Sequence, residues 1–446
     1  MSMTPNASLV DTPINQLRRY DRNARTHSKK QIKQIAASIE KFGFNNPILI
    51  SNDGEIVAGH GRVEAAKLLG MKTVPTLALS HLSETERRAY VLADNKLALN
   101  TGWDKEILAL ELQGLIDLEF DTELTGFSLA EINLVLDEAS DANAGGSDEP
   151  EDLIPVITGP AVSRLGDLWL LGRHKLLCGD TRNEATVSAL MGAERADVVF
   201  TDPPWNLVVD GHIGGLGKVR HREFAFASGE MSKDQFRVFL ADTLQNLSRH
   251  MRDGGIAFVC MDWRHMAELL QAGEIAFSEL KNLIVWNKSN GGMGTFYRSK
   301  HELIFVFKAG TAEHTNTFGL GDTGRYRTNV WDYAGISSMS ATRVQELAMH
   351  PTVKPVGLVA DAIRDCSRRG EIVLDGFGGS GSTLIAAEKT GRAARLIEFD
   401  EIYCDTIISR WEALTGKRAE LSASGRSFEE TAEERLLVVD FSGERE

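Results

Sequence analysis

Asp202-Pro203-Pro204-Trp205 is the segment of this chain whose residue types most plainly equip it for chemistry. An acid, two prolines and a flat ring follow Ala196–Thr201, a short apolar run that reads as a buried strand. Open α/β sheets take their ligands at the edge where such strands end. Paired prolines there fix a loop that cannot continue the sheet, and the first of them offers no N–H. Outward-facing acceptors beside a ring suit a planar substrate with an amino group, a nucleobase foremost. A tetrapeptide of this kind arises by accident in roughly one to a few per hundred chains. A loop without chemistry is therefore a live reading until a matching second site is found.

That second site stands at Glu371–Thr383: an apolar run ending at Asp375, then Gly376-Phe377-Gly378-Gly379-Ser380-Gly381-Ser382. The pattern predicts a strand, a glycine-rich turn and a helix over Thr383–Lys389 ended by Gly391, then a second strand from Ala393 to Ile397. Gly376-x-Gly378-x-x-Gly381 satisfies the dinucleotide fingerprint, with Glu398 at the distance where an acid takes ribose hydroxyls. Taken alone this supports a nicotinamide- or flavin-dependent oxidoreductase. Phe377 turns the reading, because dinucleotide loops keep small residues there and a ring suits an adenosyl group instead. An oxidoreductase also has no use for Asp202–Trp205.

The elements that must carry these loops follow from the rest of the chain. Its 446 residues leave room for two or three domains. No apolar stretch is long enough to span a membrane and the first ten residues lack a signal pattern, so a cytoplasmic location is expected. Four scattered cysteines indicate neither a disulfide framework nor a metal site. The net charge of −14 argues superficially against nucleic acid, but much of the excess sits in Asp137–Asp152 and after Ser427. Basic residues gather at Lys218–Arg222, Arg298–Lys300 and Arg325–Arg327, and local patches govern phosphate binding. The loops Gly294–Lys300 and Gly324–Arg343 add aromatics to this charge, as a contact to phosphates or unstacked bases requires, or they are ordinary surface loops.

The small, acidic stretch from Asp137 to Pro150 reads as a linker. The expected division is a first domain over 1–136, an acidic linker over 137–152, a larger α/β domain over 153–425 and a loose acidic tail over 426–446. Within the tail, Arg435–Val439 is the one candidate strand. In the first domain, Ser28–Gln31 opens a helix stopped by Gly43, and Asn52-Asp53-Gly54 marks a hairpin between Pro47–Ile50 and Ile56–Ala58. Gly59-His60-Gly61-Arg62 leads into a helix over Val63–Leu69, an extended run follows at Val74, and Ser83–Asp137 is mostly helical.

Asn23–Ser28 with Arg25 and His27, the hairpin, and Ala58–Arg62 with Ala65-Ala66 resemble the ParB N-terminal domain, shared with sulfiredoxin. The resemblance covers roughly 9–95 and implies a small α+β fold with a nucleotide or DNA contact at Arg25, His27, Gly59, His60, Gly61 and Arg62. It extends to a CTP-like nucleotide and to a homodimer as partners. The glycines would let the backbone approach an anion, with Arg62 as a bidentate fork, or they merely cap the helix. Partition proteins carry Gly-Glu-Arg-Arg where this chain has Gly59-His60-Gly61-Arg62, which speaks against CTP hydrolysis.

Asp202–Trp205 taken with Phe377-x-Gly379-x-Gly381, Leu170–Asp180, His350–Pro355 and Leu396–Asp400 resembles the DNA amino-methyltransferases over about 160–415. Catalytic loop first and cofactor loop second is the β-type order of that family. The resemblance implies a Rossmann-like sheet, S-adenosylmethionine as methyl donor and double-stranded DNA as substrate. Phe377, Gly378, Gly379, Gly381, Ser382 and Asp375 would form the cofactor loop, with Glu398 on the ribose, Asp180 near the adenosyl group and Lys354 toward the carboxylate. Asp202 and the Pro203 carbonyl would accept the two amino hydrogens of a flipped-out base, Pro204 would stiffen the loop and Trp205 would stack. None of the cysteines follows a proline, so attack at cytosine C5 is rejected. Asp in the first position accompanies N6-adenine in this family, and N4-cytosine is the alternative. From other classes, an NAD-dependent oxidoreductase and a non-catalytic ParB-like DNA-binding regulator stay open.

Overall fold

A computed structural model describes residues 8–98 apart from 22 and 24, 102–136 apart from 119, 129, 130 and 133, and 159–206, 229–288, 291, 296–317, 328–333 and 353–442. The expected linker, the basic run Lys218–Arg222, Arg325–Arg327, His350 and Thr352 lie outside these residues. The chain divides into two compact units, Met1–Gly145 and Gly146–Glu446.

The first unit is built on a four-stranded sheet of β1 (Leu9–Pro13), β2 (Ile48–Ile50), β3 (Ile56–Ala58) and β4 (Thr73–Ala78), ordered β1-β4-β2-β3. Helix α1 (Lys29–Phe42) starts where Ser28 accepts a bond from Gln31 N, and ends at Gly43 with φ 86°. β2 and β3 pair antiparallel around the expected turn, and α2 (His60–Leu68) starts three residues before the sequence suggested. Gly59 explains the earlier start: its φ of 99° turns the chain straight into the helix, so His60, Gly61 and Arg62 form the first turn. Ile48, Ile56, Val63, Ala66 and Val74 form the small core. Helices α3 (Glu84–Ala98) and α4 (Lys105–Asp117) follow, and α4 contributes to a separate cluster with Leu112 and Ile132 at its centre.

The second unit holds an 11-stranded sheet, ordered β11-β9-β10-β8-β7-β12-β13-β6-β5-β14-β15. In chain order these are β5 (Leu168–Leu171), β6 (His174–Cys178), β7 (Ala196–Thr201), β8 (Met251–Met261), β9 (Glu279–Asn287), β10 (His301–Lys308), β11 (Val330–Asp332), β12 (Ile372–Asp375), β13 (Ala393–Glu398), β14 (Glu420–Leu421) and β15 (Arg426–Ser427). The central five, β8-β7-β12-β13-β6, run parallel, and β10 lies antiparallel between β8 and β9. Val198 and Phe200 of β7 enter one core while Val199 enters the other, as alternation in a doubly covered strand requires. Helices α5 (Glu184–Met191), α6 (Lys233–Ser248) and α7 (Met266–Ala276) cover one face. α8 (Val356–Cys366), α9 (Ser382–Thr390) and α10 (Glu401–Thr415) cover the other.

Two expectations for the chain end are corrected. Over 426–442 the segment is not loose, and Arg435 does not start a strand: these residues form β15 and helix α11 (Phe428–Ser442). Ser427 and Glu430 cap each other's backbone N–H groups at 2.8 and 3.2 Å, and the Phe428 ring packs edge-on against Trp169 at 5.5 Å. Arg435 donates to Asp167 Oδ1 at 3.0 Å, from the other end of the unit. Among the described residues no helix is long and apolar enough to cross a membrane.

Candidate active site

Parallel pairing of β6, β7, β8, β12 and β13 brings their C-terminal ends to one edge of the sheet. The antiparallel register Leu303↔Met261 and His301↔Asn287 adds the start of β10 and the end of β9 to that edge. Asp202, Gly376, Glu398, Lys288 and Glu302 are thus delivered together from five separate stretches of sequence.

A buried carboxylate ties the first two loops into one site. Asp375, 3% exposed, accepts from Thr201 Oγ1 at 2.9 Å, from Phe377 N at 3.0 Å and from Thr383 Oγ1 at 2.7 Å. Thr201 is the last residue of β7, next to Asp202, and Thr383 lies in the first turn of α9. Burial pushes the Asp375 pKa up to about 7, against the three donors that pull it down.

Asp202 is itself the centre of a charged cluster. Its Oδ1 accepts from the Trp205 indole Nε1 at 3.2 Å, and its Oδ2 is bonded to Lys354 Nζ. Lys354, 5% exposed, also lies 3.2 Å from Glu302 Oε2 and 5.0 Å from the Trp205 ring centroid. Glu302 Oε1 is bonded in turn to Lys288 Nζ. Burial opposes the Lys354 charge, yet the two carboxylates outweigh it and hold the lysine protonated above its ordinary range. Burial likewise works against the Glu302 carboxylate, but Lys354 and Lys288 bring its pKa below the usual value. For Asp202 burial wins: its pKa is raised, with Lys354 the main influence against the rise. Beyond Trp205, Asn206 with φ 52° bonds Met231 N and O at 3.1 and 2.8 Å, pinning the chain that leaves the site to the chain that returns.

The glycine loop is stitched to β13. Gly378 N donates to Ile397 O at 2.9 Å and Gly379 N to Glu398 Oε2 at 2.7 Å, while Asp400 N donates to Glu398 Oε1 at 2.8 Å. Burial pushes Glu398 up to about 7 in spite of these donors. Gly381 turns the chain into α9 at φ 87°, where a side chain would also press on Ile407. The hydroxyl of Ser382 is buried with no hydrogen-bond partner among the described residues. Phe377 is partly buried, its ring 6.2 Å from that of Phe239. Asp180, after β6, is held by Arg182 Nη2 at 2.6 Å.

In the first unit, Arg62 donates to the carbonyls of Asn46 at 2.7 Å and Pro47 at 3.2 Å. Arg25 reaches Asn95 Oδ1 at 3.1 Å, and His27 Nδ1 lies 3.0 Å from Gln31 Oε1. His60 Nε2 is buried without a partner among the described residues, and burial lowers its pKa. The ring of His27 stands 3.1 Å from where a side chain at Gly61 would begin.

The residues singled out in the sequence thus fall into groups. Asp202, Trp205, Asp375 and Lys354 join one continuous set of contacts, and Phe377, Gly378, Gly379 and Gly381 form the adjoining loop, tied to Glu398 at the end of β13. Lys354 is placed differently from expectation, against Asp202 and Glu302. Glu302, Lys288, Thr201, Thr383 and Asn206 were not anticipated. The one signal for Glu302 was a carboxylate directly before the apolar run Leu303–Phe307.

Residues 196–409 match the DNA methylase family, 2–96 the ParB N-terminal domain and 106–165 the ParB-methyltransferase helix-turn-helix domain. The ParB-like nuclease domain-containing protein YnaK of Escherichia coli K12 is 45% identical over 86 residues, which are 19% of this chain and 99% of that protein. The type II methyltransferase M.ScaI of Streptomyces caespitosus is 34% identical over 90 residues, 20% of this chain and 30% of that enzyme. The crystal structure of the M1.HpyAVI–SAM complex aligns with 53% of this chain and 97% of its own at 19% identity and a TM-score of 0.39, too low to bear on function. With the three matches in this order and the Asp202 and glycine loops meeting through Asp375, the chain is a DNA methyltransferase of the N6/N4 family fused to an N-terminal ParB-like domain.

Proposed function

We propose that the second unit methylates the N6 amino group of adenine in DNA with S-adenosylmethionine as donor, on a base turned out of the duplex. The observation that carries this reading is the bond from Thr201 to Asp375, which makes the Asp202 loop and the glycine loop parts of one site. The donor set suits an adenosyl cofactor: left-handed Gly379 and Gly381, the carboxylate of Glu398 at the neighbouring strand end, the exposed part of Phe377 and the Ser382 hydroxyl, which has no partner among the described residues. Bound S-adenosylmethionine would supply an electrophilic methyl on a sulfonium centre.

The chain's own residues have the remaining work. An exocyclic amine is a poor nucleophile because its lone pair is delocalised into the ring. Asp202 and the Pro203 carbonyl, accepting one amino hydrogen each, favour a pyramidal nitrogen whose lone pair points outward. Asp202 would take the proton that the nitrogen sheds. The Trp205 ring offers the stacking face, and orientation of the pair is the larger contribution. Adenine is favoured over cytosine N4 because Asp in the first position accompanies N6 methylation in the family this chain resembles. Turning the base out costs a few kcal/mol of stacking and pairing.

Tritiated methyl from S-adenosylmethionine is expected to enter unmethylated duplex DNA, and Asp202→Ala to lower the rate at least ~100-fold with S-adenosylhomocysteine binding retained. Label absent from every DNA offered sinks the reading, and NAD binding undisturbed by S-adenosylhomocysteine favours an oxidoreductase. Long-read mapping of the modified bases separates adenine from cytosine. For the first unit we propose a DNA-holding role. Its Arg62 is engaged by the Asn46 and Pro47 carbonyls, so a CTP-like nucleotide would rest on the α2 backbone; equilibrium dialysis with CTP, and sedimentation for a homodimer, test those two partners.

A further inference from the structure

We propose that Lys354 is a positioning residue for Asp202, keeping its carboxylate ionised and fixed in direction, and that Glu302 in turn holds Lys354. The inference rests on the methyltransferase reading given above and adds to it two residues from outside both signature loops.

A buried ammonium needs paired carboxylates, and a buried carboxylate needs cations or donors. Lys354 meets this need on two sides, bonded to Asp202 Oδ2 and 3.2 Å from Glu302 Oε2. Lys288 closes the other oxygen of Glu302, so two carboxylates and two ammoniums balance. The side chain of Lys354 is 5% exposed and that of Glu302 6%, so neither serves as a solvated surface charge. Their partners come from three elements: Lys354 precedes α8, Glu302 lies in β10 and Lys288 follows β9. Glu302 thus gives Lys354 a second carboxylate partner beside Asp202.

The effect on Asp202 is geometric first. Oδ2 is held by Lys354 and Oδ1 by the Trp205 indole, one donor to each oxygen. A carboxylate has about four lone-pair sites, so each oxygen keeps one for a base amino group while the plane of the carboxylate stays fixed. The effect on charge follows. The groups facing Asp202 are Lys354, Glu302, Asp375 and the Cys260 thiol, the last pushed well up by burial and so uncharged. Burial and Glu302 both raise the Asp202 pKa, and Lys354 opposes them. Removing Lys354 therefore lets Asp202 take up a proton at higher pH, where it can no longer accept a hydrogen bond at both oxygens.

The test is the pH dependence of kcat for Lys354→Met on a duplex containing the mapped site. Its acidic limb should move up by about one pH unit or more, and kcat at pH 7 should fall at least ~10-fold. S-adenosylhomocysteine affinity should stay within about threefold, a tenfold change being 1.4 kcal/mol. Lys354→Arg keeps the charge and should restore the limb. Glu302→Gln should lower kcat in the native background and far less beside Lys354→Met, since the two act as a unit. An unmoved limb in Lys354→Met overturns the proposal, as does loss of S-adenosylhomocysteine affinity with the limb in place, which would make Lys354 a cofactor ligand. Carboxyl carbon-13 NMR of the aspartate-labelled protein, assigned with Asp202→Asn, reads the same pKa without DNA. The proposal thus stands or falls separately from methyl transfer, whose complete absence would count only against the methyltransferase reading.

Discussion

Trp205 gives Asp202 more than a flat wall, because its indole N–H donates to Oδ1 at 3.2 Å. A phenylalanine stacks on a base as well but leaves that oxygen undirected. Hydrogen bonds to charged groups contribute about 1.5–3 kcal/mol, so Trp205→Phe is expected to lower kcat roughly 10- to 100-fold with KM for DNA little changed. Trp205→Ala should raise KM as well, and steady-state kinetics distinguishes the two patterns. At this scale the sequence was informative wherever chemistry sits next to a strand end. Asp202 and Asp375 could be found because each closes an apolar run beside prolines or glycines, and Glu398 because it ends the next apolar run at the fingerprint's distance from the glycine loop. Glu302 could not, since its meaning depends on an antiparallel register that sets β10 beside β8. Lys354 was visible as a residue, yet its partners are 152 and 52 positions away (354 − 202 and 354 − 302), so its role was assigned by resemblance and placed elsewhere.

The strand–loop–helix from β12 to α9 and the following strand β13 carry a pH dependence of their own. Asp375 is raised from 3.8, and Glu398 from 4.5, each to about 7. The folded unit therefore keeps two protons that the unfolded chain releases between those values. Their stabilising contribution is complete only below the unfolded values of 3.8 and 4.5 and is lost as pH rises through 7, on the order of 4 kcal/mol per group. Urea titrations of the second unit should show stability falling from pH 5 to pH 8, and Asp375→Asn with Glu398→Gln should flatten the slope. A slope of opposite sign would contradict the burial of these carboxylates. Most of the elements were legible, because local caps such as Ser28 and stops such as Gly43 and Gly391 set their ends. Helix α11 was not. Its acidic composition reads as solvated tail, and it packs through Phe428 on Trp169 and Arg435 on Asp167, residues more than 250 positions earlier.

At the level of the whole chain, the helix-turn-helix match over 106–165 runs across the division between Gly145 and Gly146. Two truncations follow, one starting at residue 100 and keeping that match whole, the other starting at 159. Both are expected to bind S-adenosylhomocysteine as the full chain does, because the cofactor loop and its partners all lie after 159. Only the longer one should hold duplex DNA within about tenfold of the full chain, a difference of about 1.4 kcal/mol, read by fluorescence anisotropy. Equal DNA affinity for the two would remove residues 100–158 from DNA holding. The chain termini of the second unit carry one more lesson. Through Arg435, α11 is clasped to Asp167 and to the carbonyl of Val162, where the described part of the unit begins. Head and tail are neighbours. A gene cut between β11 and α8 and rejoined across that clasp would write the glycine loop before the Asp202 loop and still encode the same meeting of Thr201 with Asp375. The chemistry is indifferent to the order in which the two halves are written.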